Sequence, residues 1–295
     1  MSNLFICATD EFNCYSAIEK AFSSLKIKPD FKNAVIKLNL CSLKLRETGV
    51  TSDPIVVEQI IKFLNEHNVH VTLVESDSAS KNADLAFEFL GFKALEKRYD
   101  VKCVNLSKDE FLVKKIDGYY LKSIEVPQTI AKADFFITHP KLKTHSSMKI
   151  RVTGALKNQF GCLRNKNKAQ YHSAIHEVIA DVNLAFIPQL AIVDAIIAMT
   201  GYGPSAGIPQ RLNLMLVSHD LVAVDALGAK MFGFNPYSIK YIELASKKKI
   251  GNINSKIIYA QSKNMRNVNL DMHINPAIMR SFELLSSIGI RTPGE

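Results

Sequence analysis

The sequence predicts an α/β fold: a mostly parallel sheet with helices on both faces. Short β-branched runs alternate with helical patterns, residues 190–197 read as a buried strand, and neither an internal repeat nor a low-complexity linker interrupts the succession. At 295 residues one α/β domain spanning 1–295 is the expectation, with the least regular stretch, about 107–172, as the candidate for an inserted lobe.

Taken in order, residues 4–9 are expected as a strand, 14–25 as a helix, 34–40 as a strand, 54–66 as a helix and 69–75 as a strand. The helix at 54 has a clear start. Ser52 or Asp53 caps free amides, and Pro54 suits the first helical position because its missing N–H would have no partner there. Residues 82–89 read as a helix stopped by Gly91, and 101–106 as a strand. A hairpin is expected over 114–126 around Asp117-Gly118, a pair suited to the positive φ of a tight turn. A helix near 128–132 and a strand at 135–138 follow. Further on, Ile175, Val178, Ile179, Val182 and Phe186 recur at helical spacing, and 211–218 is a strand. Residues 220–232, with Asp220 near the start, and 236–247 are helices, and 256–260 is an edge strand.

Composition narrows the function. An apolar content of 47% excludes disorder and collagen-like sequence. The most apolar stretch, 184–199, is broken by Pro188, Gln189 and Asp194, so no membrane partner is expected. The first residues lack a basic flank and reach acids by Asp10, which fits neither a signal nor a transit peptide and points to the cytoplasm. Five cysteines without a Cys-x-x-Cys argue against a disulfide framework, a zinc ribbon and an iron–sulfur cluster.

The net charge of +9 is concentrated. Residues 135–176 hold no Asp or Glu but eight of the 37 basic residues, leaving 29 basic against 28 acidic residues elsewhere. The same segment holds four of the eight histidines, His139, His145, His172 and His176. An unpartnered surface normally mixes both signs, since like charges repel and destabilise the compact state. An anionic partner follows.

Candidate site residues lie where parallel strands end, the usual ligand crevice of such sheets. Lys37 and Asn39 alternate with Ile36 and Leu38, so both face one side. Glu75 and Asp77 follow another strand, and Asp194 lies near the end of 190–197. In an extended His139-Pro140-Lys141-Leu142-Lys143-Thr144-His145, residues 139, 141, 143 and 145 would share a side, a row of imidazoles and ammonium groups suited to phosphate or carboxylate. A clustered lysine there could also serve as a general base or Schiff-base nucleophile. Gly154 to Gly161, with Lys157 and Asn158, allows close backbone approach to an anion, and Gly203 lies in a glycine-rich loop that is no dinucleotide fingerprint because Pro204 and Pro209 interrupt it. Cys162, among basic neighbours, reads as a buried thiol in preference to a reactive one. His172 and His176, four apart, could share a helix face and grip a divalent metal, with Glu75, Asp77 and Asp194 as further candidate ligands. Tyr171 could supply a phenolic donor.

These blocks resemble the DUF362 family, some of whose members carry ferredoxin-like iron–sulfur modules. The shared pieces are Ile36-Lys37-Leu38-Asn39, Glu75-Ser76-Asp77-Ser78, the His139–His145 heptapeptide, Gly154-Ala155-Leu156-Lys157-Asn158 with Phe160-Gly161, Tyr171-His172, and Asp194 with Gly201-x-Gly203-Pro204. They span about residues 35 to 230. The resemblance implies the location of the site without a reaction. It gives no electron-transfer role, because the Cys-x-x-Cys set is absent, and the 164–168 loop is more basic than the family pattern.

The reading favoured by the residues is an enzyme acting on a small phosphorylated or carboxylated metabolite, in a biosynthetic pathway. Lys37, Lys141, Lys143 and Lys157 would hold the anion, with His139, Asn39, Asn158, Tyr171 and Gly203 beside them, and His145 or His172 would move protons. Two alternatives stand: a nucleic-acid-binding protein using residues 135–176, and a non-catalytic metal or cofactor carrier. The segment's few aromatics and lack of a recognition helix weigh against nucleic acid.

Overall fold

The computed structural model describes residues 2–147 and 149–259. Its strands are β1 (Ser2–Ala8), β2 (Asn33–Lys37), β3 (His70–Glu75), β4 (Val101–Asn105), β5 (Phe111–Lys115), β6 (Ser123–Pro127), β7 (Phe135–Thr138), β8 (Lys141–Thr144), β9 (Val152–Thr153), β10 (Leu190–Thr200), β11 (Ile208–Ser218) and β12 (Ser255–Tyr259). The helices are α1 (Cys14–Ser24), α2 (Pro54–Glu66), α3 (Ala83–Phe89), α4 (Gln128–Ala131), α5 (Ala155–Asn158), α6 (Ile175–Ala185), α7 (Leu221–Met231) and α8 (Lys240–Lys247).

The main sheet runs β12-β1-β11-β10-β7-β2-β3-β4, with β8 paired to β10 and β9 to β8. Pairings from β10 through β7, β2 and β3 to β4 are parallel, as is β1 with β12; β11 is antiparallel to both β1 and β10. Every residue of β10 from Leu190 to Met199 is buried. Successive strand residues point to opposite faces, so both faces of the sheet are covered, as the α/β prediction requires. Within 107–172, β5 and β6 form a separate two-stranded sheet, whereas β7 sits in the middle of the main one. Among the described residues no helix is long and apolar enough to cross a membrane.

Helix α2 spans the expected residues, with Asp53 accepting from the Ile55 amide and Pro54 in the first turn. Asp220 caps α7 through the Ala223 amide at 2.8 Å. Three local expectations need correction. β2 stops at Lys37: the Leu38 amide still bonds across to Val74 O of β3, but the next two amides turn to side chains, Asn39 to Ser52 Oγ and Leu40 to Glu75 Oε2. The β5–β6 connection is a seven-residue loop, 116–122, rather than a tight Asp-Gly turn, and Gly118 does not take positive φ. Asp181 of α6 holds that loop by accepting from the amides of Tyr119, Tyr120 and Leu121. Gly118 is needed for closeness, since a Cβ there would lie 2.2 Å from Leu121 O and 2.7 Å from Asp181 Cγ. Finally, 236–247 splits into a 3-10 turn, Pro236–Ser238, and α8. Of the expected strand 256–260, Ala260 lies outside the described residues.

Candidate functional site

Where β7 ends, His139 and Pro140 carry the chain into β8, so both strands run along β10, at Leu190 and Ala191 and then at Asp194 and Met199. This jog places Lys141 and Lys143 over the ends of β2 and β3. They meet Lys37 from β2, Lys81 from the turn after β3, Lys157 from α5 and Lys168 from the 3-10 segment Lys168–Ala174, and together line one cavity of about 160 Å³. Asn39, Cys41, Glu75, Asn158, Phe160 and Pro204 complete much of its wall.

The lysines are not equivalent. Lys37 forms a buried ion pair with Glu75 at 2.9 Å and donates to Leu38 O at 2.7 Å. Lys81 approaches the other Glu75 oxygen at 3.7 Å. Lys141 pairs with Asp194 at 2.8 Å, 1% and 0% exposed. Lys143 donates to Val50 O at 2.8 Å and lies 3.5 Å from Cys41 Sγ. Lys168 donates to Asp77 O and Ser76 Oγ. Among the described residues Lys157 Nζ has neither a hydrogen bond nor an ion pair.

Two carboxylates thus answer six lysines, and the electrostatics follow. Burial would raise the Glu75 carboxyl, yet Lys37 and Lys81 hold it at about 2. Burial, then repulsion from Lys143, lowers Lys157 to about 8; burial also brings Lys168 to about 8. Helix α5 is fixed by Asp225 of α7, whose carboxylate accepts from the Ala155 and Leu156 amides at 2.6 and 3.0 Å, although burial raises that acid to about 7. Asn158 donates to Lys37 O and Thr138 Oγ1.

Of the predicted site residues, Lys37, Asn39, Glu75, Lys141, Lys143, Lys157 and Asn158 share the cavity wall. Asp194 stands behind Lys141, Tyr171 lies edge-on to Phe160 with ring centroids 6.1 Å apart, and Gly203 precedes the wall residue Pro204 through a cis peptide bond. The histidines lie elsewhere. Pro140 breaks the pleat, so the row 139–145 holds only for Lys141 and Lys143. His139 is wholly buried and donates from Nδ1 to Ile192 O. His145 accepts from the Ser147 amide, and burial, with Lys157 and Lys143 nearby, pushes it down to about 2, so it is no proton acceptor at neutral pH. His172 is exposed in the 3-10 segment, ahead of α6, while the His176 ring stacks on Tyr241. Asp77 is used by Lys166 and by the Ala83 amide.

The expected metal set is therefore not assembled. Among the described residues no group of three or more His, Cys, Asp and Glu side chains converges on a point. Burial raises the Cys162 thiol to about 12, which leaves it inert. Lys81 and Lys168 belong to the site but were not singled out from the sequence. Lys168 had a signal in the acid-free segment, and Lys81 followed a strand end.

Residues 34–230, two thirds of the chain, match the sequence family described as Domain of unknown function (DUF362). The chain belongs to the DUF362 family. Every lysine of the cavity falls inside the matched DUF362 segment. A stretch of 126 residues is 32% identical to the thylakoid-associated protein sll1697 of Synechocystis sp., covering 40% of this chain and 38% of that protein. This DUF362 chain thus matches well under half of that relative's length. The fold aligns with the lactate racemase apoprotein from Thermoanaerobacterium thermosaccharolyticum at a TM-score of 0.48 and 9% identity, over 75% of this chain and 55% of that one.

Proposed function

We propose that this DUF362 protein is an enzyme whose lysine-walled cavity binds a small phosphorylated or carboxylated metabolite. The observation that carries the reading is the convergence of six lysines from five stretches of chain on one cavity that, among the described residues, has a single lining carboxylate. Such a cluster repels itself, and an anion relieves it. Lys37–Glu75 and Lys141–Asp194 build the wall as neutral pairs, leaving Lys81, Lys143, Lys157 and Lys168 to face the anion. A cavity of about 160 Å³ favours a small ligand over a polymer. The basic segment also spends little charge outside. Four of its lysines turn into the cavity, while exposed Arg164 and Lys166 pair with Glu125 and Asp77. That distribution favours a small anion over nucleic acid.

A thermal-shift panel of phosphorylated and carboxylated metabolites tests the reading. At a hundredfold excess over Kd a bound ligand contributes about 2.7 kcal/mol, a rise in Tm of roughly 5 °C for a chain of this size. The double variant Lys81→Gln/Lys168→Gln gives up the contacts to Glu75 and Asp77 O, so its unliganded Tm should fall, and measured from that lower baseline the ligand-induced rise should be lost. A panel without any shift, or a shift unchanged in the variant, would overturn it.

A further inference from the structure

We infer that Lys157 is a covalent nucleophile, condensing through its ε-amino group with the carbonyl of a small anion held in the cavity. This rests on the anion-binding reading and adds a reaction step to it. The pattern of pairing carries the inference. Lys37 and Lys81 are committed to Glu75, Lys141 to Asp194, Lys143 to Val50 O and Lys168 to Asp77 O. Each of those contacts uses the protons of an ammonium group, so the nitrogen lone pair is unavailable. Lys157 has no such contact among the described residues, and the ammonium group of Lys143 repels it. Desolvation beside a like charge is the arrangement that frees a lysine amine as a nucleophile.

Position is controlled as well. Asp225 holds the Ala155 and Leu156 amides, Asn183 Nδ2 donates to Leu156 O at 2.9 Å, and Asn158 is tied to Lys37 O and Thr138 Oγ1. The backbone is thus pinned on both sides of Lys157, which limits where its amine can go. Lys143, Lys168 and Lys81 would take the carboxylate or phosphate. The substrate class is accordingly a small 2-oxo carboxylate or keto phosphate.

In the step, the neutral amine adds to the carbonyl carbon, a C–N bond forms and the C=O π pair moves to oxygen. That oxygen leaves as water with one proton from nitrogen and one from solvent, and the product is an iminium. Nothing is oxidised or reduced.

The full chain, incubated with pyruvate or dihydroxyacetone phosphate and then sodium borohydride, should carry a reduced adduct at Lys157, located by peptide mass spectrometry. Inorganic phosphate should suppress it. Lys157→Arg should abolish the adduct, whereas Lys102→Arg, at an exposed position, should leave it in place. Labelling at Lys157 no greater than at exposed Lys102 and Lys132, or insensitive to phosphate, would overturn the assignment. If phosphate raises Tm while both probes leave Lys157 unmodified, the covalent step fails and the anion site stands. If phosphate neither raises Tm nor protects, both fall.

Discussion

Lys37 and Glu75, the last residues of two adjacent parallel strands, form a 2.9 Å ion pair with side chains 1% and 5% exposed. Glu75 also accepts from the Leu40 and Ser76 amides, so it closes the chain around the floor of the cavity. Removing one partner of a buried pair costs about 3–5 kcal/mol, because the other charge is left uncompensated. Glu75→Gln should lose stability of that order in urea denaturation at neutral pH. The wild-type carboxyl is held at about 2, against an ordinary 4.5. Its contribution is therefore complete above 4.5 and should fade as pH drops toward 2, where the unfolded chain binds the proton more readily. The variant's denaturation midpoint should lack this part of the acid dependence.

The Lys141–Asp194 pair lends itself to a double-mutant cycle. Lys141→Met alone should destabilise by about 3–5 kcal/mol, and Lys141→Met/Asp194→Leu should recover most of that loss, since apolar replacement of both charges is often neutral. Additive losses in the double variant would show that the pair is not a closed electrostatic unit.

Charge in the cavity sets a pH profile for anion affinity. Lys157 and Lys168 both lose their protons at about 8. Affinity for sulfate, whose own charge is constant, should fall by about tenfold or more, ~1.4 kcal/mol, as both lysines deprotonate. Titration calorimetry across that range measures it. In the unliganded chain the sign reverses. The unfolded lysines keep protons up to about their ordinary 10.5, so stability should rise with pH between 8 and 10.5.

Much of the site could be read along the chain because its signals are local. Lys37 and Asn39 alternate with apolar neighbours, the acid-free segment marks Lys141, Lys143 and Lys157, and all of these reach the cavity. The histidine row could not be read so, because Pro140 separates β7 from β8 and the pleat is lost between them. Lys81 depends on the bridge between Ser78 and Lys81 that folds the chain back toward Glu75. The role of Asp194 depends on Lys141, 53 residues away, and that pairing follows from sheet order alone. Strand existence was legible where β-branched runs are long. The ends of β2 and the β5–β6 loop were not, since side-chain caps from distant Ser52, Glu75 and Asp181 set them.

Gly203 makes a close approach that only hydrogen permits, since a Cβ would lie 1.9 Å from Thr144 O. Gly203→Ala should push Thr144 and Pro204 apart at the cavity rim, costing about 1–3 kcal/mol and weakening anion binding. Gly91→Ala, with nothing within 4 Å but a φ of +85°, should cost about 1–2 kcal/mol from backbone strain and leave anion affinity unchanged. Urea denaturation and sulfate titration of both variants separate the two effects.

The most direct measurement is the position of inorganic phosphate in crystals grown with it. The lysine-walled cavity predicts phosphate oxygens within hydrogen-bond distance of the Lys143, Lys157 and Lys168 ammonium groups. Phosphate bound solely at the exposed 164–166 loop, with the cavity lysines contacting none, would contradict it.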